Sequence, residues 1–194
     1  MATSSAGRDI FDIVVIGGGA AGLSGAKITA RSRRSVLVID SGAPRNAPAE
    51  GVHNYLYAEG TSPAKLGEIG RTEAAVYGVQ VVAGSATSAT VIDEPGEGQP
   101  RFTVTIAGQD GGARTVWARR LLLTTGLVDV LPDIPGVVQR WGRDVLHCPF
   151  CHGWEVRDHA VGVIGTGPMA LHTAALRPTH RRCRLLPAHR PGPH

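Results

Sequence analysis

The chain has 194 residues, of which 42% are hydrophobic and 19% charged, and a formal charge of +4. That composition provides the core of one domain or two small ones and excludes a disordered chain. Arg177, Arg181, Arg182, Arg184 and Arg190 stand in a terminal stretch without an acid and leave the preceding residues one unit negative, so the charge marks no nucleic-acid-binding face. No apolar run reaches the roughly 18–20 residues of a membrane span. The polar start, Met1 to Asp9, is unlike a secretory leader, and a cytoplasmic location is expected.

Residues 11–16, Phe-Asp-Ile-Val-Val-Ile, form the nearly continuous apolar run of a buried parallel strand. Gly17-Gly18-Gly19-Ala20-Ala21-Gly22 then opens a helix to about Arg33, and residues 35–40 read as a second strand ending on Asp40. A glycine-rich turn alone is a weak signal. Here it lies between strand and helix, and Asp40 follows Gly22 by 18 residues, near the spacing of an acid that reaches a ribose hydroxyl. Gly17 then allows the tight turn, Gly19 the approach of a pyrophosphate to backbone amides, and Gly22 the close helix–strand contact. Dinucleotide binding at that helix N-terminus is the expectation.

Residues 41–61 read as a loop and 62–77 as a helix. Short strands are expected at 79–82, 89–92, 102–106, 115–118 and 121–124. Turn signals at Glu94-Pro95-Gly96 and around Gly111-Gly112 separate them as an inserted antiparallel meander. Thr125-Gly126 reads as the exit from the first domain. A strand at Ala160 to Ile164 enters a second glycine turn, Gly165-Thr166-Gly167-Pro168-Met169-Ala170, with alanine in the third glycine position. No acid and no clear second strand follow it, although Arg181, Arg182 or Arg184 could meet a nucleotide phosphate. After Leu176 come Pro178, Pro187, Pro191 and Pro193, and this tail is expected to be disordered or out of register and dispensable for the fold. The expected organisation is α/β, with domains at 10–126 and 127–176 and a tail at 177–194.

Cys148-Pro149-Phe150-Cys151-His152-Gly153-Trp154-Glu155 carries a CxxC pair. Three readings compete with redox chemistry: a c-type haem attachment site, which needs export, a zinc site from Cys148, Cys151, His180 and Cys183, and a pair of inert buried cysteines. Redox chemistry has local support. Pro149 suits a first helical position, which puts the dithiol at a helix N-terminus where thiolate is favoured. His152 follows as a proton acceptor, or as a solvated loop histidine.

With these residues the chain resembles the low-molecular-weight thioredoxin reductases, and among them the thioredoxin-reductase-like flavin dithiol oxidases. The match runs over about residues 11–176 and includes the loop from Ser41 to Asn46, Val52-His53-Asn54 and the CPFCHGWE string, which is its specific part. The resemblance implies a Rossmann-like domain with non-covalent FAD, contacted by Gly17, Gly19, Ala20, Ala21, Gly22, Asp40, Ser41, Arg45, Asn54, Val82, Thr125 and Gly126. It implies the start of a second Rossmann-like domain that bears the dithiol, with Gly165 and Gly167 at an NADP(H) turn, and a homodimer. Cys151 would face the flavin, Cys148 would exchange with a small-molecule or protein dithiol or disulfide, and His152 replaces the acid of thioredoxin reductases, as in the oxidases. Relatives finish the second domain and return to the first through a Gly-Asp motif that has no counterpart here. The expectation is therefore a truncated flavoenzyme of impaired turnover, against a non-enzymatic remnant with weak nucleotide binding.

Overall fold

The computed structural model describes residues 9–109, 111–165, 167–175 and 182–186. Contacts divide the chain into two compact units, Met1–Arg45 with Ala64–Val128 and Asn46–Pro63 with Asp129–His194. The segment at 46–63 thus groups with the second unit.

In the first unit, strand β1 (Ile10–Ile16) lies between two parallel neighbours, β2 (Val36–Asp40) and the end of β5 (Ala113–Leu123), and β2 pairs in parallel with the start of β3 (Gln80–Val91). The apolar run of β2 is explained by its two buried faces. Leu37 and Ile39 join Phe11, Val14, Val104, Ile106, Val116 and Ala118 in one core. Val36 and Val38 join Val15, Val79 and residues of helices α1 (Ala20–Arg31) and α2 (Pro63–Ala75) in the other. Asp12, the polar residue within the first run, accepts from Ser35 N at 2.9 Å and from Arg119 Nη1 at 3.1 Å. The backbone hydrogen bond from Ser35 above all, with the charge of Arg119, holds its carboxyl below the ordinary carboxylate value.

The meander is present with fewer and longer strands than expected. Residues 80–82 and 89–91 belong to the single strand β3, and 115–118 and 121–123 to the single strand β5. Strand β3 leaves β2 after the pair Asp40–Ala83 and continues antiparallel to β4 (Phe102–Gly108) from the pair Gly84–Gly108, with a bulge between Ala86 and Ser88. Gly84 marks the transfer, since a Cβ there would stand 2.6 Å from Ala107 O. Strand β4 pairs antiparallel with β5, which returns to β1, and the five strands close on themselves.

The second unit carries the short helices α3 (Val137–Arg140) and α4 (Pro149–His152), then β6 (Ala160–Ile164), α5 (Pro168–Ala175) and β7 (Arg182–Leu186). The last strand corrects the expectation for the tail. Residues 182–186 pair in parallel with β6 from Ala160–Arg182 to Ile164–Leu186, and Gly165 N donates to Leu186 O at 3.1 Å. A second βαβ unit is therefore complete after the second glycine turn, where no second strand was expected. Parallel pairing is a long-range contact across a helix, so a five-residue strand between prolines leaves little local signal. The other tail residues, 177–181 and 187–194, lie outside the described residues. Among the described residues no helix is long and apolar enough to cross a membrane.

Strand β7 also reverses the expectation that the tail is dispensable. Deletion of 178–194 unpairs β6, whose Val163 is buried, and should lower the melting temperature of the second unit by more than about 4 °C, the shift that about 1 kcal/mol produces in a unit of this size. Scanning calorimetry of the full-length and shortened chains checks this.

Candidate functional site

The first unit contains the glycine turn. Gly17 sits at φ 106°, and a Cβ there would meet Thr124 O at 2.2 Å. A Cβ on Gly22 would meet Gly17 O at 1.9 Å and Thr124 Oγ1 at 2.8 Å, so helix and turn touch backbone to backbone. The Thr124 hydroxyl lies within 3.0 Å of Ile16 O and 2.9 Å of Gly17 O, the two carbonyls it can donate to at the strand end. Gly18 packs on Asp40, whose carboxylate a Cβ would crowd at 2.5 Å. Asp40 also accepts from Gly42 N at 3.0 Å and lies 3.8 Å from Arg71 Nη1. Gly19 is the N-cap of α1, with no capping side chain and no acid in the first turn, and among the described residues nothing beyond its chain neighbours lies within 4 Å of where its Cβ would be. Ala20 and Ala21, which follow, are exposed at the positive end of a 12-residue helix, whose first amides have no partner within the helix. This cradle fits a dinucleotide pyrophosphate.

The other residues expected around this turn are distributed as follows. Ser41 and Arg45 lie on the exposed loop after β2, Val82 packs against the meander core, and Thr125 and Gly126 follow β5, Gly126 at φ 69°. Asn54 belongs to the second unit, in the left-handed region at φ 61° with its backbone N–H donating to Glu59 Oε2 at 2.9 Å. Gly18, Thr124 and Arg71 had no expected role. Thr124 had a sequence signal, a hydroxyl at the end of an apolar strand.

In the second unit α4 begins where Pro149 suggested. Cys148 is its N-cap, and both Cys151 N and His152 N donate to Cys148 O at 3.3 Å. A single turn therefore carries both cysteines, Cys148 half-buried and Cys151 exposed. A Cβ on Gly153 would stand 2.1 Å from Pro149 O, so only glycine closes this turn. His152 is not a solvated loop residue: its Nε2 is buried and has no hydrogen-bond partner among the described residues. Its ring meets the ring of His53 edge-on, with centroids 5.7 Å apart. His53 Nδ1 lies 2.6 Å from Glu59 Oε1 and 3.6 Å from Glu155 Oε1. Cross-bonds from Val52 to Thr61 and from Gly60 to Val52 hold the loop that bears His53 and Glu59. Neither had a role in the sequence reading, and a histidine and a glutamate six positions apart in a loop give no pattern.

The hydrogen bond to Glu59 raises the His53 pKa above its ordinary 6.5, and the same bond lowers that of Glu59 below its ordinary 4.5. A raised histidine stabilises the fold fully below its unfolded value, and this contribution is lost as pH rises through the folded one. A lowered carboxylate contributes above its unfolded value and loses this as pH falls through the folded one. The pair therefore acts between the lowered Glu59 value and the raised His53 value. Proton NMR should find the His53 midpoint above 6.5 and returned toward it in Glu59→Gln.

At the second turn, Gly167 is at φ 85° and a Cβ on Gly165 would lie 3.0 Å from that of Ala170, so glycine and alanine pack as a matched pair. For the zinc set, His180 lies outside the described residues, and among those described no group of three His, Cys, Asp or Glu side chains could hold a metal.

Residues 11–183 match the pyridine nucleotide-disulphide oxidoreductase family. The chain is 36% identical over 180 residues to thioredoxin reductase tcpT of Claviceps purpurea (strain 20.1), a match covering 86% of this chain and 51% of that protein. The crystal structure of HlmI is similar with a TM-score of 0.78 at 43% identity, over 95% of this chain and 55% of the other. An oxidoreductase from Agrobacterium tumefaciens has the same TM-score at 38% identity, over 90% and 56%. The chain spans about half the length of these relatives.

Proposed function

Because this chain belongs to the pyridine nucleotide-disulphide oxidoreductase family, we propose that it is a flavin-dependent thiol–disulfide oxidoreductase working through Cys148 and Cys151. The observation that carries this reading is the single turn of α4, which carries Cys148 at its N-cap, Cys151 and then His152, whose Nε2 is buried and without a hydrogen-bond partner among the described residues. Cys148 is the thiol that exchanges with substrate and Cys151 the one that communicates with the flavin. His152 takes and returns the proton. Exchange proceeds by thiolate attack on a disulfide through a mixed disulfide, which the second thiolate resolves. The substrate class is a small-molecule or protein dithiol or disulfide.

FAD, when bound, supplies two-electron chemistry that side chains lack. The residues proposed to hold it are those of the first cradle. Gly17, Gly19 and Gly22 shape the turn, the amides of Ala20 and Ala21 meet the pyrophosphate, and Asp40 meets a ribose hydroxyl. Ser41, Arg45, Asn54, Val82, Thr125 and Gly126 are proposed as the remaining contacts. The βαβ unit completed by β7 favours NADP(H) at Gly165 and Gly167 more than the sequence did, because that turn now lies between two paired strands. A cytoplasmic homodimer completes the proposal.

Thiol counting tests it. The chain has 3 cysteines. Mild oxidation should remove Cys148 and Cys151 from the titratable pool and leave Cys183, and dithiothreitol should restore them. A count unchanged by oxidation would reject the redox pair.

A further inference from the structure

His152 Nε2 poses a problem that the dithiol chemistry alone does not answer. A buried polar atom without a partner is costly, and one that receives a proton must also release it. The ring packed against it belongs to His53, whose side chain is 22% exposed, and His53 is bonded to Glu59, whose side chain is 66% exposed. From Nε2 to His53 to Glu59 the groups grade from interior to solvent. Glu155, three residues beyond His152, approaches His53 from the opposite segment. The groups facing His53 are therefore Glu59 on its own loop, His152 from α4 and Glu155 from the stretch after α4.

We propose that His53, held between Glu59 and Glu155, orients the ring of His152 and, with these two carboxylates, helps the proton taken from the dithiol leave that ring for solvent. This rests on the thiol–disulfide reading above. In the exchange, one enzyme S–H gives its proton to His152 and the sulfur attacks a substrate disulfide. A mixed S–S bond forms as the substrate S–S bond breaks, and the departing sulfur leaves as thiolate. The second enzyme thiol loses its proton in turn and displaces the remaining substrate sulfur. The enzyme dithiol is thereby oxidised to a disulfide and the substrate disulfide reduced. Two protons lost by the enzyme are matched by two gained by the substrate thiolates through solvent. The reverse reaction takes its protons from solvent. His53 is a positioning residue here, since it touches neither sulfur.

The test is the pH dependence of the rate at which the reduced full chain exchanges with a chromogenic aromatic disulfide, in a Cys183→Ser background so that only the pair reports. In the parent the rate should rise at a lower pH than that at which a free thiol ionises. In His53→Ala and His53→Gln the rise should move toward the ordinary thiol range, near about pH 8.5, with about a tenfold loss near pH 7 and convergence with the parent at higher pH. Glutamine can still hydrogen-bond Glu59 but does not carry a proton, so His53→Gln should resemble His53→Ala. Glu59→Gln changes an exposed side chain, keeps the fold, and should show an intermediate shift. A parent-like profile in His53→Gln, or a loss of equal size at every pH, would overturn this role of His53 and leave the dithiol reading intact. A parent chain that exchanges no faster than its Cys151→Ser variant would instead remove the dithiol reading itself.

Discussion

Gly22→Ala should cost the protein both its nucleotide cradle and the stability of its first unit. The added methyl would stand 1.9 Å from Gly17 O and 2.8 Å from Thr124 Oγ1. Neither is the far end of a flexible chain: one is backbone at the turn, and the other is fixed within hydrogen-bonding distance of the Ile16 and Gly17 carbonyls. Relief requires α1 to move off β1, away from the core that includes Val15, Ala26 and Ala30. Overpacking of this kind costs typically about 1–3 kcal/mol, and the rigid partners here place it at or above the upper end. Gly19→Ala is the discriminating control. Its Cβ enters open space at φ −73°, so the melting temperature should stay at the parent value while FAD affinity falls, because the methyl occupies the room left for the phosphates. Parent-like FAD retention in Gly19→Ala would reject the cradle assignment.

Cys151→Ser should have the opposite signature, a preserved fold and lost chemistry. The residue is exposed, and serine is nearly isosteric, so stability should stay within about 0.5 kcal/mol of the parent. Dithiol turnover should fall by at least about 10³-fold, since removing one member of a unit that acts together costs nearly as much as removing all of it. Cys148→Ser should be equally inactive toward substrate yet retain Cys151 for slow reaction with alkylating reagents. Thermal melting with a dithiol-oxidation assay separates the two effects.

The parts of this protein that can be read from sequence are those whose cause is local. The first turn is legible because glycine is required at consecutive crowded positions and a buried strand precedes it. Helix α4 is legible because Pro149 cannot donate and fits a first helical position. Strand β3 is half legible: its apolar ends show, while Gly84 to Ser88 reads as a break although it is a bend with a bulge. Strand β7 is hidden because its pairing partner lies about twenty residues upstream and its own composition is that of a basic, proline-bounded tail. The cluster of His53, Glu59, His152 and Glu155 is hidden for the same reason, since residues about a hundred positions apart meet only in the folded unit.

The central claim is that Cys148 and Cys151 deliver electrons to or from a flavin held by the first turn. It is tested most directly by adding a small dithiol anaerobically to the FAD-loaded protein and following the long-wavelength flavin absorption band. The account predicts that the band bleaches in the parent chain, returns on admission of oxygen or an oxidising disulfide, and stays unbleached in Cys151→Ser. A flavin that binds but bleaches equally in the parent and in Cys151→Ser would contradict it.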